Sequence, residues 1–239
     1  MAKAERLDKL ISHQCALPRS EAVRAIRRGR VAVDGKVCRA PETKCDPEGV
    51  TLSLDGDTIG YKKFLYLMLN KPAGLLCVSR DPKAPTVMDL VPPEWNRKDL
   101  FPAGRLDKDT HGLVILTDDG DFAHRMLSPK KTVYKHYRAI LDAPVDPAVC
   151  EAFAKGTAFE DGTPCLPAEL TVLEGGDTPL VDIAVCEGKY HQVKRMCGAH
   201  GLGVNWLKRI SIGGLTLDET LEEGELRELS DAEKAAIFE

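Results

Sequence analysis

The stretch Gly104-Arg105-Leu106-Asp107-Lys108-Asp109-Thr110-His111-Gly112-Leu113-Val114-Ile115-Leu116-Thr117 passes from charged and glycine-flanked to continuously apolar. Gly112 to Thr117 reads as a buried strand, because a short apolar run bounded by turn residues suits the interior of a sheet. Asp118-Asp119-Gly120 then turns the chain, and Phe122 to Leu127 makes a short helix. The charged half stands at the entry to the strand. Arg105 and Asp107 are two residues apart and project to one side if the backbone is extended. A carboxylate near arginines stays ionised, which suits nucleophilic or electrostatic work. A tight structural loop or a surface ion pair would use the same residue types.

Working outward, Phe64 to Asn70 is a strand candidate stopped by Lys71-Pro72, since proline cannot continue a central strand. Further strands are expected at Tyr137 to Leu141, Ala168 to Leu173, Leu180 to Cys186 and Ser211 to Leu217, with a helix over His191 to His200. Strands and helices mix without a βαβ rhythm, so the expected class is α+β around a mixed or antiparallel sheet. A second polar cluster, Glu187-Gly188-Lys189-Tyr190-His191-Gln192-Val193-Lys194-Arg195-Met196, opens that helix. Lys194 lies three residues beyond His191 and four beyond Tyr190, spacing that forms one polar helix face. A basic helix face turned to solvent has the same pattern.

Upstream, Leu7, Leu10 and Ile11 share one helical face, and a second helix is expected from Ser20 as its cap, stopped by Gly29. Arg30 to Val37 alternates into a hairpin turned at Asp34-Gly35. The net charge of the chain is −4, yet residues 1–45 hold eleven Arg and Lys against five Asp and Glu, and residues 218–239 hold two against nine. The expectation is a basic headpiece on a larger body with an acidic tail turned to solvent. Arg19, Arg24, Arg27, Arg28 and Arg30 cluster in the headpiece, where two short helices would offer them to a phosphate backbone. A solvated helix face is the alternative.

No apolar run is long enough to span a bilayer, and the start Met1-Ala-Lys-Ala-Glu-Arg has no secretory apolar region, so a cytoplasmic location is expected. The eight cysteines contain no CxxC pair and read as mostly buried free thiols; neither a zinc site nor a disulfide framework is suggested. Phosphate loops of the GxxxxGK[ST] or GxGxxG kind and a GxSxG elbow are missing from the sequence, and His191 and His200 do not have HExxH spacing. The residues alone therefore describe an RNA-facing basic module joined to a domain with an Asp- and Arg-centred pocket.

Gly104-Arg105-Leu106-Asp107-x-x-Thr110-x-Gly112-Leu113 followed by Leu116 to Gly120 closely resembles the active-site motif of the pseudouridine synthases that modify ribosomal RNA. Met68 to Pro72 with Gly74, Asp81-Pro82, Pro85-Thr86-Val87, His124-Arg125, Lys135-His136-Tyr137, Phe153 to Gly156 and Glu187 to Met196 match the family in order. Arg6 to Leu10, Arg19 to Ala22 and Gly29 to Gly35 resemble the alpha-L RNA-binding motif of ribosomal proteins. The resemblance implies an alpha-L domain and linker over residues 1–60, with the linker near Asp55 to Lys62, and a catalytic domain over 61–239.

It further implies Asp107 as the catalytic aspartate, Arg105 as its motif partner, Tyr137 rather than Tyr134 as the aromatic residue against the target base, and Lys194 as the cation paired with the aspartate. RNA contacts are expected from Arg6, Lys9, Arg19, Arg24, Arg27, Arg28, Arg30, Lys71 and Arg195. Isomerisation of uridine needs no group donor, so no cofactor and no metal are expected. The small-subunit type is the nearest likeness, implying 16S ribosomal RNA at the uridine conventionally numbered 516, met in an assembly intermediate by a monomeric enzyme. The alternatives are a 23S ribosomal RNA site and a noncatalytic RNA-binding or ribosome-assembly protein.

Overall fold

The structure is a computed structural model that describes residues 4–128 and 132–239. The chain forms two compact units. One runs through Leu65 and adds Val91–Leu100; the other comprises Tyr66–Leu90 and Phe101–Glu239.

The first unit contains β1 (Glu5–Arg6), α1 (Leu7–Gln14), α2 (Arg19–Arg27), β2 (Val31–Val33), β3 (Lys36–Val37), β4 (Lys44–Cys45), β5 (Leu52–Leu54) and β6 (Asp57–Ile59). Leu7, Leu10 and Ile11 of α1 meet Ala22, Ala25 and Ile26 of α2 over Val31 and Leu52, so the apolar spacing seen in the sequence builds the core. Strands β3-β2-β5-β6 form an antiparallel sheet. Its first hairpin turns at Asp34-Gly35, both with positive φ (48° and 75°), as a two-residue hairpin of type I′ requires.

Two expectations fail here. Pro18, not Ser20, precedes α2, and no side chain caps it. Asp55 to Lys62 is no low-order linker: Asp55-Gly56 repeats the Asp-Gly turn with φ of 54° and 97°, and β6 pairs with β5 behind it. Lys62 and Arg97 are both held to this unit by Gln14, whose side chain bonds the Lys62 backbone at 2.9 and 3.0 Å and accepts from Arg97 at 3.1 Å.

The second unit contains β7 (Tyr66–Lys71), β8 (Phe101–Ala103), β9 (His111–Thr117), α3 (Gly120–Leu127), β10 (Lys135–Leu141), α4 (Pro147–Lys155), β11 (Glu169–Glu174), β12 (Leu180–Val185), α5 (Gln192–Gly198), β13 (Val204–Ile212), β14 (Leu215–Thr216), β15 (Leu226–Glu228) and α6 (Asp231–Ala236). Among the described residues its sheet has nine strands, with the path β11-β12-β10-β13-β9-β7-β15 and β8 and β14 beside it. The sheet is mixed, because β9 and β13 run parallel and the other pairs antiparallel. The apolar run Leu113 to Leu116 lies at its centre and is fully buried, as a strand covered on both faces must be. Gly112 is required where β9 meets β13: it has φ of +100°, and a Cβ there would stand 2.2 Å from the Arg209 carbonyl oxygen.

The expected strand from Ser211 to Leu217 is instead the end of β13, a Gly213-Gly214 turn and β14. The apolar pattern misleads because β13 turns Leu207, Arg209 and Ser211 inward, so a buried arginine occupies a position that reads as exposed. Helices α4 and α6 go unforeseen although both carry caps: Asp146 before Pro147, and a Ser230/Glu233 capping box. The acidic C-terminal segment does turn Glu219, Glu222, Glu223, Glu225, Asp231 and Glu239 to solvent, but it is part of the folded domain and no loose tail. Arg227 bonds Asp218 at 2.6 Å and Glu233 at 2.6 Å, and β15 pairs with β7. All eight cysteines are free thiols, five of them buried. No described helix is long and apolar enough to cross a membrane.

Candidate active site

Residues 104–110 form the connection from β8 to β9, at one end of the central strand. The loop is not extended: Gly104 has φ of +90°, and the Thr110 N–H donates to the Asp107 carbonyl at 3.1 Å in a turn. Arg105 and Asp107 nonetheless both border one cavity. Arg105 is exposed and makes no hydrogen bond or ion pair among the described residues, whereas Asp107 is half-buried. Leu106, between them, is buried and anchors the loop.

Beneath the loop lies Lys71, which is fully buried at the end of β7. Its ammonium donates to the carbonyls of Pro72 (2.9 Å), Lys108 (3.2 Å) and Thr110 (2.8 Å). Burial pushes its pKa down from the usual lysine value. The expected RNA contact by Lys71 is therefore corrected. A side chain with no exposed surface and all three donors used on its own backbone holds the loop and touches no phosphate.

Asp107 borders a cavity of about 570 Å³ whose walls include Tyr137, Lys135, Arg209, His191 and Gln192. Lys194, in the first turn of α5, brings its ammonium to 3.9 Å from Asp107 Oδ2 and to 2.6 Å from Asp109 Oδ1. The expected partner of Asp107 is thus shared with Asp109, and that hydrogen bond to Lys194 holds the Asp109 carboxyl below its ordinary range. His191 supplies a contact that the sequence reading did not assign. Its Nε2 lies 3.4 Å from Asp107 Oδ1.

The loop before α5 explains how these groups arrive together. Glu187 accepts from the Gln192 side chain (2.8 Å), the Leu166 N–H (2.9 Å) and Lys189, while Gln192 accepts from the Lys189 N–H at 2.8 Å. His191 then begins the helix in the left-handed region, φ 49° and ψ 36°, a conformation costly for a residue with a Cβ and common at functional sites. Tyr190, 69% exposed, stacks on the His191 ring at a centroid distance of 3.8 Å.

Tyr137 stands on β10 opposite Arg209 of β13, whose guanidinium donates to the Tyr137 hydroxyl at 3.4 Å and, through Nε, to the Leu113 carbonyl at 2.8 Å. Tyr134 is 42% exposed and does not border the cavity. Three buried side-chain atoms among the described residues lack a hydrogen-bond partner, and two of these, Thr110 Oγ1 and Arg209 Nη2, belong to residues lining the cavity. Lys135 and Arg209 are buried cavity cations to which sequence reasoning gave no role. The signal available was Lys135 two residues from Tyr137; nothing in the sequence marks Arg209, which the parallel pairing of β9 and β13 brings in from the far end of the chain.

Arg195 does not enter the cavity wall; it bonds Asp161 at 2.6 Å and lies over the Phe159 ring at 3.8 Å. In the first unit, Arg6 and Arg19 converge on the buried Asp8, Lys9 pairs with Glu5, and Arg30 pairs with Asp55. Arg24, Arg27 and Arg28 are exposed and make no ion pair among the described residues, which leaves them as the free cations of α2 and its end.

Comparison with known proteins agrees with this geometry. Residues 65–199 match the RNA pseudouridylate synthase family, and residues 5–50 match the S4 domain family. The chain is 42% identical over 237 residues to ribosomal small subunit pseudouridine synthase A of Escherichia coli (strain K12), covering 97% of this chain and 99% of that one. It is 41% identical over 230 residues to YtzG, an uncharacterized RNA pseudouridine synthase of Bacillus subtilis (strain 168), covering 95% and 96%. A solved pseudouridylate synthase superposes with a TM-score of 0.68 at 37% identity, covering 97% of this chain and 99% of that one. With a family match over more than half its length and full-length relatives above 40% identity, the chain belongs to the RNA pseudouridylate synthases and carries an S4 domain at its N-terminal end.

Proposed function

We propose that this RNA pseudouridine synthase acts as a monomer on the small ribosomal subunit RNA, at 16S uridine 516, with Asp107 as its reacting carboxylate. The observation that carries the reading is a carboxylate at the edge of a nucleoside-sized cavity, facing Lys194 at 3.9 Å and His191 at 3.4 Å, with Tyr137 in the wall. Cavities of roughly 300–1,000 Å³ suit small organic groups. A uridine extruded from its RNA stack fits that description, as enzymes acting on a base require.

Pseudouridine has the atoms of uridine with the base joined through C5 instead of N1. The N1–C1′ bond breaks, the base turns, a C5–C1′ bond forms, the C5 proton leaves and N1 gains a proton, so no net oxidation occurs. Asp107 attacks C6, attacks C1′ or takes a ribose proton, and each of these steps requires it ionised. Lys194 favours the ionised form. Tyr137 supports the uracil face. The cations of α2 hold the RNA backbone and contribute affinity without choosing the base.

The small-subunit target is supported by the likeness at Asp81-Pro82, at Thr117 to Gly120 and in the headpiece, and by the name of the Escherichia coli relative. Pseudouridines would be mapped in ribosomal RNA from cells with and without the gene, with an assembly intermediate as the substrate in vitro. Loss of the 16S uridine 516 signal alone is expected. Loss at a 23S position would move the target to the large subunit, and an unchanged map would leave a noncatalytic assembly role.

A further inference from the structure

We propose that Lys135, supported by Arg209, takes up the negative charge that develops on the carbonyl oxygens of uracil while its bond to ribose is exchanged. This rests on the reading that the cavity beside Asp107 receives the target uridine.

Lys135 and Arg209 both line that cavity and are 7% and 4% exposed. Among the described residues the Lys135 ammonium makes no hydrogen bond and no ion pair. Arg209 uses Nε on the Leu113 carbonyl and Nη1 on the Tyr137 hydroxyl, and its Nη2 is without a partner. Lys194 is satisfied by Asp109, Lys189 by Glu187, Lys71 by three carbonyls and Arg195 by Asp161, and the one other cavity cation without a partner among the described residues, Arg105, is exposed to solvent rather than buried. Burying two cations without a counterion is unfavourable, and a fold keeps such an arrangement where a ligand completes it. The strain on Lys135 is visible in its acidity, which burial and then the charge of Arg209 push below the usual lysine range.

The sheet aims these groups deliberately. Lys135 and Tyr137 are two residues apart on β10 and share a face. The register with β13 jumps from His136 opposite Ser211 to Tyr137 opposite Arg209, so Ile210 is the extra residue of a bulge, a device that re-aims side chains near active sites. Tyr137, against the base, is therefore flanked by Lys135 along its strand and Arg209 across it.

The chemistry calls for positive charge at that place by every route open to Asp107. Heterolysis of N1–C1′ leaves the bonding pair on uracil N1, from which it spreads onto O2 and O4. Attack at C6 pushes the C5–C6 π pair toward O4. The same electrons later form the C5–C1′ bond, the C5 proton is released and N1 is protonated, which closes the balance. Asp107 serves the ribose or C6 side of this exchange, and Lys135 serves the carbonyl side. A preorganised cation acting on charge that appears only during reaction speeds the chemical step without tightening binding.

The test compares single-turnover loss of the N1-linked nucleoside in RNA carrying uridine or 5-fluorouridine at the target position, using the full chain. Fluorine withdraws electrons and stabilises the uracil anion, so it lessens dependence on an external cation. Lys135→Gln should slow the uridine substrate by about 100- to 1,000-fold, the range for losing one such electrostatic group, with RNA affinity unchanged. On 5-fluorouridine the loss should be at least several-fold smaller, and Lys135→Arg should recover most of the rate. Equal slowing on both bases, an effect confined to affinity, or a wild-type rate in Lys135→Gln would overturn the proposal. If Lys135→Gln does not fold, Lys135→Met, which keeps the apolar stem, enters the same comparison, and failure of both to fold assigns Lys135 a structural role instead. Asp107→Asn run in parallel separates the two levels: it should be inactive on both bases, and activity there would defeat the reading of the cavity itself.

Discussion

The Lys194 ammonium donates to the Asp109 carboxylate at 2.6 Å and so reaches Asp107, 3.9 Å away, only as a neighbouring charge. Lys194 then acts on Asp107 through its field, while Asp109 fixes its position. A unit charge near 4 Å is worth between about 1 kcal/mol in water and about 4 kcal/mol near a protein surface. Lys194→Met should accordingly slow single-turnover pseudouridine formation by about ten-fold or more, and Asp109→Asn by clearly less, because the cation remains. Equal losses in the two variants would show that the Lys194–Asp109 pair, not the charge on Asp107, matters.

Lys71 gives a contrasting prediction, since its three donors serve the backbone of the loop that carries Asp107. Lys71→Met should lower unfolding free energy by about 2–4 kcal/mol, because a buried carbonyl left without its donor costs about 1–3 kcal/mol. Denaturant melts read the stability. RNA affinity measured across a salt series should keep its slope, and a shallower slope would return Lys71 to the RNA surface.

These two lysines also show what the sequence makes legible. The strand at Gly112 to Thr117, the α1–α2 core and the Asp34-Gly35 hairpin follow from local patterns that the fold obeys. Asp107 and Tyr137, which the family motif singles out, line one cavity, and Lys194 stands outside its lining, 3.9 Å from Asp107. Lys71 misleads because nothing local distinguishes a lysine bonded to three carbonyls from one turned to solvent. Arg209 is missed for the reverse reason: its strand turns a cation inward, against the apolar alternation that identifies strands, and such local violations gather at functional sites. The Asp55-Gly56 turn was readable by the rule applied to Asp34-Gly35; the polar residues around it conceal β6.

Of the headpiece cations expected to contact RNA, Arg6, Lys9, Arg19 and Arg30 are engaged with Asp8, Glu5 or Asp55, so the proposed anchoring is expected to rest on Arg24, Arg27 and Arg28. Deleting residues 1–60 would be a poor test, because 61–65 and Val91–Leu100 belong to the same compact unit. Replacing the three arginines by glutamine should weaken binding to structured ribosomal RNA and reduce the slope of log affinity against log salt by about 2–3, from three lost phosphate contacts. An unchanged slope would place the anchoring elsewhere.

Acid stability should depend on Arg227. Thr220 and Arg227 hold Asp218 at about 2, and Arg227 followed by Ser230 holds Glu233 at about 2. Both folded-state values lie below the unfolded ones, near 4, so their stabilisation is complete above about pH 4 and disappears as pH falls through about 2. Arg227→Met should melt at lower temperature than wild type at pH 7, and the gap should close as pH is lowered from about 4 to about 2. A gap independent of pH would mean that packing by the arginine stem, not charge, is what Arg227 supplies.

The central claim is that Asp107 performs the isomerisation inside its cavity. The direct measurement is pseudouridine content at 16S uridine 516 after incubating an undermodified small-subunit substrate with wild type or Asp107→Asn, with folding and RNA affinity measured on both. Wild type should convert that uridine, and the variant should bind the RNA with similar affinity while converting none. Conversion by a folded Asp107→Asn at the wild-type rate would contradict the account.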